Sequence, residues 1–262
     1  MEALQRILQK WSLLLKVLPI LVAVVALKLL AHVFGLEVVE LNALFTSIVA
    51  GTVFLLGFLI SGVLSDYKES EKIPSELAAS LETLHDDART IRLSKDSKAA
   101  RQLLAHHKAL RGLLMDWFYQ RAGTEAVLER IGGMNPLFVA LEGEGVQANY
   151  IIRMKNEQSV IRKIVLRIKT IRDTEFVQSA YAIVEALGAA ITLGMVLIRI
   201  EPFYEALFFT VLVTFLIAYM FFLIKDLDNP FDYSAHGETG TEVSLRPLHD
   251  LDLRLGAAPE SE

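Results

Sequence analysis

A single carboxylate interrupts one of the apolar segments of this chain. Glu185 lies near the middle of a run of 23 mostly apolar residues, 176–198. An ionisable side chain at that depth of a membrane helix costs at least a few kcal/mol and marks a functional candidate. It can take part in an ion or proton path. Alternatively, it is protonated or paired within a helix bundle, where Lys16 and Lys28 of another apolar segment are candidate partners.

Three residues of a different apolar segment share one helix face. Ala50, Phe54 and Phe58 recur every four residues, and this spacing places side chains above one another on a helix. If several copies of the chain surround an axis, this face forms stacked apolar rings, and narrow rings of this kind gate ions by excluding water. The alternative is that both phenylalanines face lipid or a neighbouring helix.

The remaining polar residues do not indicate an enzyme. The chain has no cysteine, which excludes a disulfide framework, a zinc–thiolate site and a cysteine nucleophile. No phosphate-binding loop, dinucleotide-binding motif or nucleophile-elbow motif occurs. His106 and His107 are adjacent, so they point about 100° apart on a helix and do not readily share a metal. We therefore expect no catalytic residue, no metal and no cofactor.

The composition indicates a membrane protein. Of the 262 residues, 53% are hydrophobic and 22% are charged, yet the mean hydropathy is +0.42. Both values hold only if the apolar residues are gathered in blocks, which excludes an ordinary soluble enzyme and a disordered chain. The net charge of -5 gives no indication of a nucleic-acid partner.

Four segments carry the apolar excess. They cover residues 13–34, 41–64, 176–198 and 203–224 and are 22 to 24 residues long. About 20 apolar residues are needed for a helix to cross a bilayer core roughly 30 Å thick. The sequence therefore predicts four transmembrane helices.

The distribution of basic residues predicts the orientation. Residues 65–175 hold 18 of the 26 lysines and arginines, and positive charge concentrates on the cytoplasmic side of a membrane. We expect a cytoplasmic N-terminus (1–12), two transmembrane helices (13–64), a cytoplasmic domain (65–175), two further transmembrane helices (176–224) and a cytoplasmic tail (225–262). Both termini are then cytoplasmic, in the plasma or inner membrane.

The predicted cytoplasmic domain has a helical pattern. Two apolar stripes follow the three- and four-residue spacing that is typical of packed helices. The stripes are Leu77, Leu81, Leu84, Ala88 and Ile91, then Leu103, His107, Leu110, Leu114 and Trp117. On this pattern His107 is a packed core residue rather than a ligand, and the fold class is all-α.

Several short motifs resemble those of a known family. The sequence Phe54-Leu-Leu-Gly57-Phe58 resembles the neck helix of bestrophin channels, and Asn229-Pro230-Phe231 resembles the segment after their last span. Residues 66–74 and 242–251 resemble the bestrophin-like domain family of four-span membrane proteins. The overall plan, in which two pairs of spans flank a helical cytoplasmic block, is similar as well.

The resemblance implies a funnel-shaped homopentamer with an ion pore on its axis, permeable to anions such as chloride. The second span would line the neck with Phe54 and Phe58, and Ala50 would contribute a wider ring. An acidic post-span motif would follow the last span, comprising Asp226, Asp228, Asn229, Pro230, Phe231 and Asp232. The acidic run that helps bestrophins to hold calcium is missing, since Tyr233 and Ser234 follow Asp232.

Two other functions stay open at this point. A non-conducting membrane scaffold or sensor would use its cytoplasmic helices to bind a partner. A transporter would use Glu185 as a proton site, although four spans without an inverted repeat or a broken helix do not favour it. For the channel, the expected partners are the lipid bilayer, small inorganic ions and further copies of the chain.

Overall fold

The protein is described here by a computed structural model that covers residues 11–173, 178–233 and 242–257. The chain forms two compact units. Within the described residues, the first unit comprises 11–67 and 178–229, and the second comprises 68–173, 230–233 and 242–257.

The described elements are almost all helices. In chain order they are α1 (Ser12–Val33), β1 (Val39–Glu40), α2 (Ala43–Ser70), α3 (Ile73–Lys95), α4 (Lys98–Phe118), α5 (Thr124–Gly132), α6 (Asn135–Gly143), α7 (Ala148–Asp173), α8 (Gln178–Leu197), β2 (Ile198–Arg199), α9 (Phe203–Asp228) and α10 (Arg246–Ala257). The prediction of an all-α protein with long apolar helices is therefore confirmed.

The first unit packs four apolar helices. Helix α1 lies against α8 and α9, and α9 also lies against α8. Helix α2 contributes Leu56, Leu59 and Val63 to a core that it shares with α8 and α9. The two-residue strands β1 and β2 pair in parallel, with Val39 opposite Ile198, and so join the loop after α1 to the end of α8.

Three of these helices are long and apolar enough to cross a membrane by length and composition, namely α1, the apolar part of α2, and α9. In α8 the apolar helix Tyr181–Leu197 is shorter, with 17 residues. The predicted third span begins at residue 176, which lies outside the described residues. The count of four spans accordingly stays a prediction.

Close helix contacts in the first unit occur at two glycines. A Cβ at Gly194 would lie 2.5 Å from Cε2 of Phe45 on α2, and a Cβ at Gly188 would lie 3.1 Å from Cγ2 of Ile217 on α9. The four-residue repeat Ala182, Ala186, Ala190 and Gly194 predicts tight packing along α8. Within this chain that prediction is right only for Gly194, because all three alanines are exposed.

The second unit is a set of helices around the two predicted stripes. Helix α3 lies against α7, α4 and α10, and α4 lies against α5 and α6. Every member of both stripes is buried. Pro74 occupies the first turn of α3, where its missing N–H has no helical partner to lose. The Ser97 side chain caps α4 by accepting from the Ala100 N–H at 2.9 Å.

His107 is a core residue of the second unit, with 1% of its surface exposed. Burial, followed by the positive charge of Arg111, lowers the pKa of His107 to about 3. The imidazole is therefore neutral at physiological pH. Its ring lies 5.6 Å from the ring of His85, centroid to centroid.

Candidate pore face and its supporting contacts

The predicted pore-lining residues lie on the exposed face of α2. The side chains of Phe54 and Phe58 are 77% and 70% exposed, and Ala50 is exposed on the same face. The opposite face buries Leu56 and Leu59 in the core. Two phenyl rings are therefore presented away from the chain's own core.

Three glycines accompany these rings. Gly51, Gly57 and Gly62 are all exposed, and a Cβ added at any of them would meet no described atom within 4 Å. Glycine inside a helix costs about 0.5–1 kcal/mol relative to alanine. Packing among the described residues does not account for these glycines, and glycines on the surface of a membrane helix are typical of close approach to another helix.

Glu185 lies on a different surface from the phenylalanines. It is exposed on α8 and lines a groove of 660 Å³ between α1, α8 and α9. The two lysines considered as its partners bind elsewhere. Lys16 pairs with Asp226 at 2.9 Å, and Lys28 pairs with Glu37 at 2.6 Å. The pairing of Glu185 with either lysine is thus wrong.

Lys28 anchors a buried polar cluster that the sequence did not predict. Its side chain is fully buried, and its Nζ donates to the carbonyl oxygens of Ile198 and, at 3.3 Å, of Val196. These carbonyls lie at the end of α8, where helical partners are lacking. The lysine therefore joins α1 to the end of α8 and to the Glu37 carboxylate.

Glu37 is also bound to His32. The two side chains are 2.9 Å apart, from Nδ1 to Oε2, and the imidazole stacks on the ring of Phe203 at a centroid distance of 3.9 Å. Burial raises the pKa of Glu37, but contacts with His32 and Lys28 outweigh this effect and hold it below its ordinary value. The ionised Glu37 carboxylate thus contacts both Lys28 and His32 of α1. The only sequence signal was a lysine inside an apolar run followed by an acid nine residues later.

The acidic residues of the post-span motif bind different partners within the chain. Asp226 accepts both contacts from Lys16, at 2.9 and 3.0 Å. Asp232 accepts from the Gln120 amide at 2.9 Å. The remaining motif residues, all at least partly buried, are Asp228, Asn229, Pro230 and Phe231. No group of three or more His, Asp or Glu side chains in the described part of the chain could hold a metal ion.

Phe231 is held by Arg172, which no sequence motif marks as functional. Arg172, near the end of α7, donates from Nε to the Phe231 carbonyl at 3.0 Å. Its other nitrogens donate to the carbonyls of Trp117 at 3.2 Å and Phe118 at 2.9 Å. The guanidinium carbon lies 4.7 Å from the Trp117 ring centroid. One planar cation therefore satisfies the end of α4 and fixes the segment after α9.

We expect Arg172→Met to destabilise the second unit by about 2–4 kcal/mol, because three carbonyls lose a charged donor. Fluorescence of Trp117, which is 2% exposed, reports its unfolding in a Trp11→Phe background. Arg121→Met is the matched control, since the Arg121 side chain is 55% exposed and lies 3.9 Å from Asp116. Equal unfolding midpoints for the two variants would contradict the assigned role of Arg172.

Comparison with solved structures identifies the fold. Three similar chains are structures of a bacterial bestrophin homologue from Klebsiella pneumoniae. One carries a tyrosine-to-alanine substitution, with a TM-score of 0.74, 15% identity, and coverage of 92% of this chain and 97% of that one. One carries a tryptophan-to-alanine substitution, with a TM-score of 0.74, 16% identity, and coverage of 93% and 97%. The third was phased with zinc and has a TM-score of 0.73, 15% identity, and coverage of 90% and 95%.

No family model matches the sequence, and no curated protein matches it either. At 15–16% identity the structural likeness shows the fold. The chain has the bestrophin fold, and the resemblance predicted from its short motifs is confirmed at that level. The fold and the apolar helices together make it an integral membrane protein.

Proposed function

We propose that this protein is an anion-permeable channel, with chloride as its typical ion, built as a homopentamer around the exposed face of α2. The observation that carries the proposal is the exposure of Phe54 and Phe58 on a face that also carries Gly51 and Gly57. Glycines on an exposed helix face are typical of contacts between membrane helices, and the phenylalanines beside them would then lie near the axis of the assembly. The bestrophin fold supports the same arrangement, since the structure of the bacterial bestrophin homologue matches 92% of this chain.

In this channel the phenylalanines form an apolar neck. Five copies of Phe54 and of Phe58 give two stacked rings about 6 Å apart, since the two residues are four positions apart at 1.5 Å per residue. Such rings gate by excluding water, and ions pass only with part of their hydration shell removed. Ala50 gives a wider ring one turn before Phe54. Anion preference then comes from weak interactions with partly dehydrated ions and not from a ring of fixed charge.

The membrane topology belongs to the same proposal. Helices α1, α2, α8 and α9 cross the plasma or inner membrane, and both termini and residues 65–175 lie in the cytoplasm. The excess of basic residues in 65–175 supports this orientation. The ion path is assigned to α2 and not to Glu185, because Glu185 lines a groove to which α2 contributes no residue.

The test is the assembly and conductance of purified full-length protein. Mass photometry in detergent or nanodiscs should give five copies, and the same preparation in a planar bilayer should pass current. Replacing chloride by gluconate on one side should shift the reversal potential in the direction expected for chloride permeation. Monomers or dimers without current would overturn the proposal and favour a non-conducting scaffold or sensor whose second unit binds a partner.

A further inference from the structure

One groove of the first unit has mainly apolar walls and one acidic residue. Its volume is 660 Å³, within the roughly 300–1,000 Å³ that is typical of small-molecule sites. The walls come from α1, α8 and α9 and include Leu27, Leu193 and Phe222. Glu185 is the only charged residue among those that line it. All of its lining residues, on α1, α8 and α9 and at Leu36 after α1, belong to the first unit.

Glu185 has no partner within the described residues, since it makes neither a hydrogen bond nor an ion pair there. The two lysines of α1, Lys16 and Lys28, are held by Asp226 and Glu37 and do not line the groove. A carboxylate among apolar helices is stabilised by a cation brought close to it. The groove thus lacks the positive charge that would complement it.

The position of Glu185 in the groove defines the shape of a complementary ligand. Along α8 the lining residues run from Val184 and Glu185 to Leu197. Glu185 and Leu197 are 12 residues apart, which corresponds to roughly 18 Å at 1.5 Å per residue. The acid therefore lies at one end of an apolar trough long enough for an alkyl chain of about 12 carbons.

We propose that this groove binds a lipophilic ammonium compound from the membrane. The ammonium group lies against the Glu185 carboxylate, and the alkyl chain lies along the apolar walls toward Leu197. An uncharged acyl chain fills the same walls but leaves the carboxylate without a counter-charge. Charge complementarity therefore favours the amine, and the site is independent of the pore face on α2.

Binding of radiolabelled dodecylamine tests this site. Full-length protein in phosphatidylcholine nanodiscs is dialysed against the amine, and empty nanodiscs measure partition into lipid alone. We expect saturable, protein-dependent binding that Glu185→Gln weakens about tenfold or more, because the charge partner is lost in an apolar site. Glu205→Gln is the matched control, since Glu205 is exposed in the first turn of α9 and does not line the groove.

A second pair of variants tests the location without altering charge. Ala189→Trp fills the groove, and Ala190→Trp places the same side chain at an adjacent exposed position that does not line it. Only the first should abolish saturable binding. Dodecanol has the same chain without the charge and should show no sensitivity to Glu185→Gln. The proposal is overturned if no saturable binding occurs, if Glu185→Gln binds like the wild type, or if dodecanol matches dodecylamine in affinity.

Discussion

Replacing Phe54 and Phe58 together with alanine is expected to raise the current through the reconstituted protein about tenfold or more. In the proposed pore, two rings of phenyl groups form a narrow apolar constriction that excludes water, and alanine both widens and shortens that barrier. A barrier lowered by about 1.4 kcal/mol increases the rate of passage about tenfold. The measurement is single-channel and macroscopic current in planar bilayers at equal protein density.

Phe208→Ala is the matched control for this experiment. Phe208 is 60% exposed on α9, so its truncation removes an equally large apolar group from a different exposed surface. If Phe54 and Phe58 only face lipid, the double variant and the control should conduct alike. That result would remove the neck from the proposed function, even if the purified protein proved to be a pentamer.

The size of the oligomer separates two causes of an altered current. Gly51, Gly57 and Gly62 border the same face, so the alanine substitutions act at a proposed contact between copies. Mass photometry of the double variant should still give the wild-type mass. A changed mass would attribute the altered current to assembly, whereas an unchanged mass with a higher current assigns it to the constriction.

Lys28→Met should destabilise the first unit strongly, by about 3–5 kcal/mol. The substitution leaves the Glu37 carboxylate, whose side chain is 13% exposed, without its lysine. It also removes the donor to the Ile198 and Val196 carbonyls at the end of α8. The measurement is thermal or denaturant unfolding of the protein in nanodiscs, followed by circular dichroism.

Lys16→Met is the matched control, because the Lys16 side chain is 49% exposed in its pair with Asp226. Exposed pairs of this kind contribute about 0.2–1 kcal/mol. In Lys28→Met combined with Glu37→Gln the unpaired charge is absent, so part of the lost stability should return. Equal losses for Lys28→Met and Lys16→Met would show that the buried cluster does not hold α1 to α8.

The same cluster gives a pH dependence with a defined sign. The pKa of Glu37 is lowered in the folded protein, since the contacts with His32 and Lys28 outweigh the effect of burial. A carboxyl of this kind stabilises the fold above its unfolded pKa, and the stabilisation is lost as the pH falls through the lowered folded pKa. The wild type should therefore lose this contribution on acidification, and the Lys28→Met/Glu37→Gln double variant should not.

The sequence by itself determined where the apolar helices lie and which faces of α3 and α4 are buried. The stripes from Leu77 to Ile91 and from Leu103 to Trp117 were predicted in full, because the apolar periodicity of a helix is local in the chain and marks the face that packing buries. The apolar segments were placed to within a few residues for the same reason, except at the start of α8, where residues 174–177 are not described. The short motifs around Phe54 and after the last apolar segment, taken with the overall plan of the chain, indicated the fold.

The tertiary structure alone decided which charges meet. Lys28 and Glu37 are close in sequence, but the carbonyls that complete the site belong to α8, about 170 residues away. Lys16 and Asp226 lie on α1 and α9, and Arg172 gathers carbonyls from α4 and from the segment after α9. The partner of a charged side chain depends on how the helices pack, and the periodicity within one helix gives no information about that packing. For that reason the lysines predicted as partners of Glu185 bind other carboxylates. Only the packing of α1, α8 and α9 shows that Glu185 lines an apolar groove.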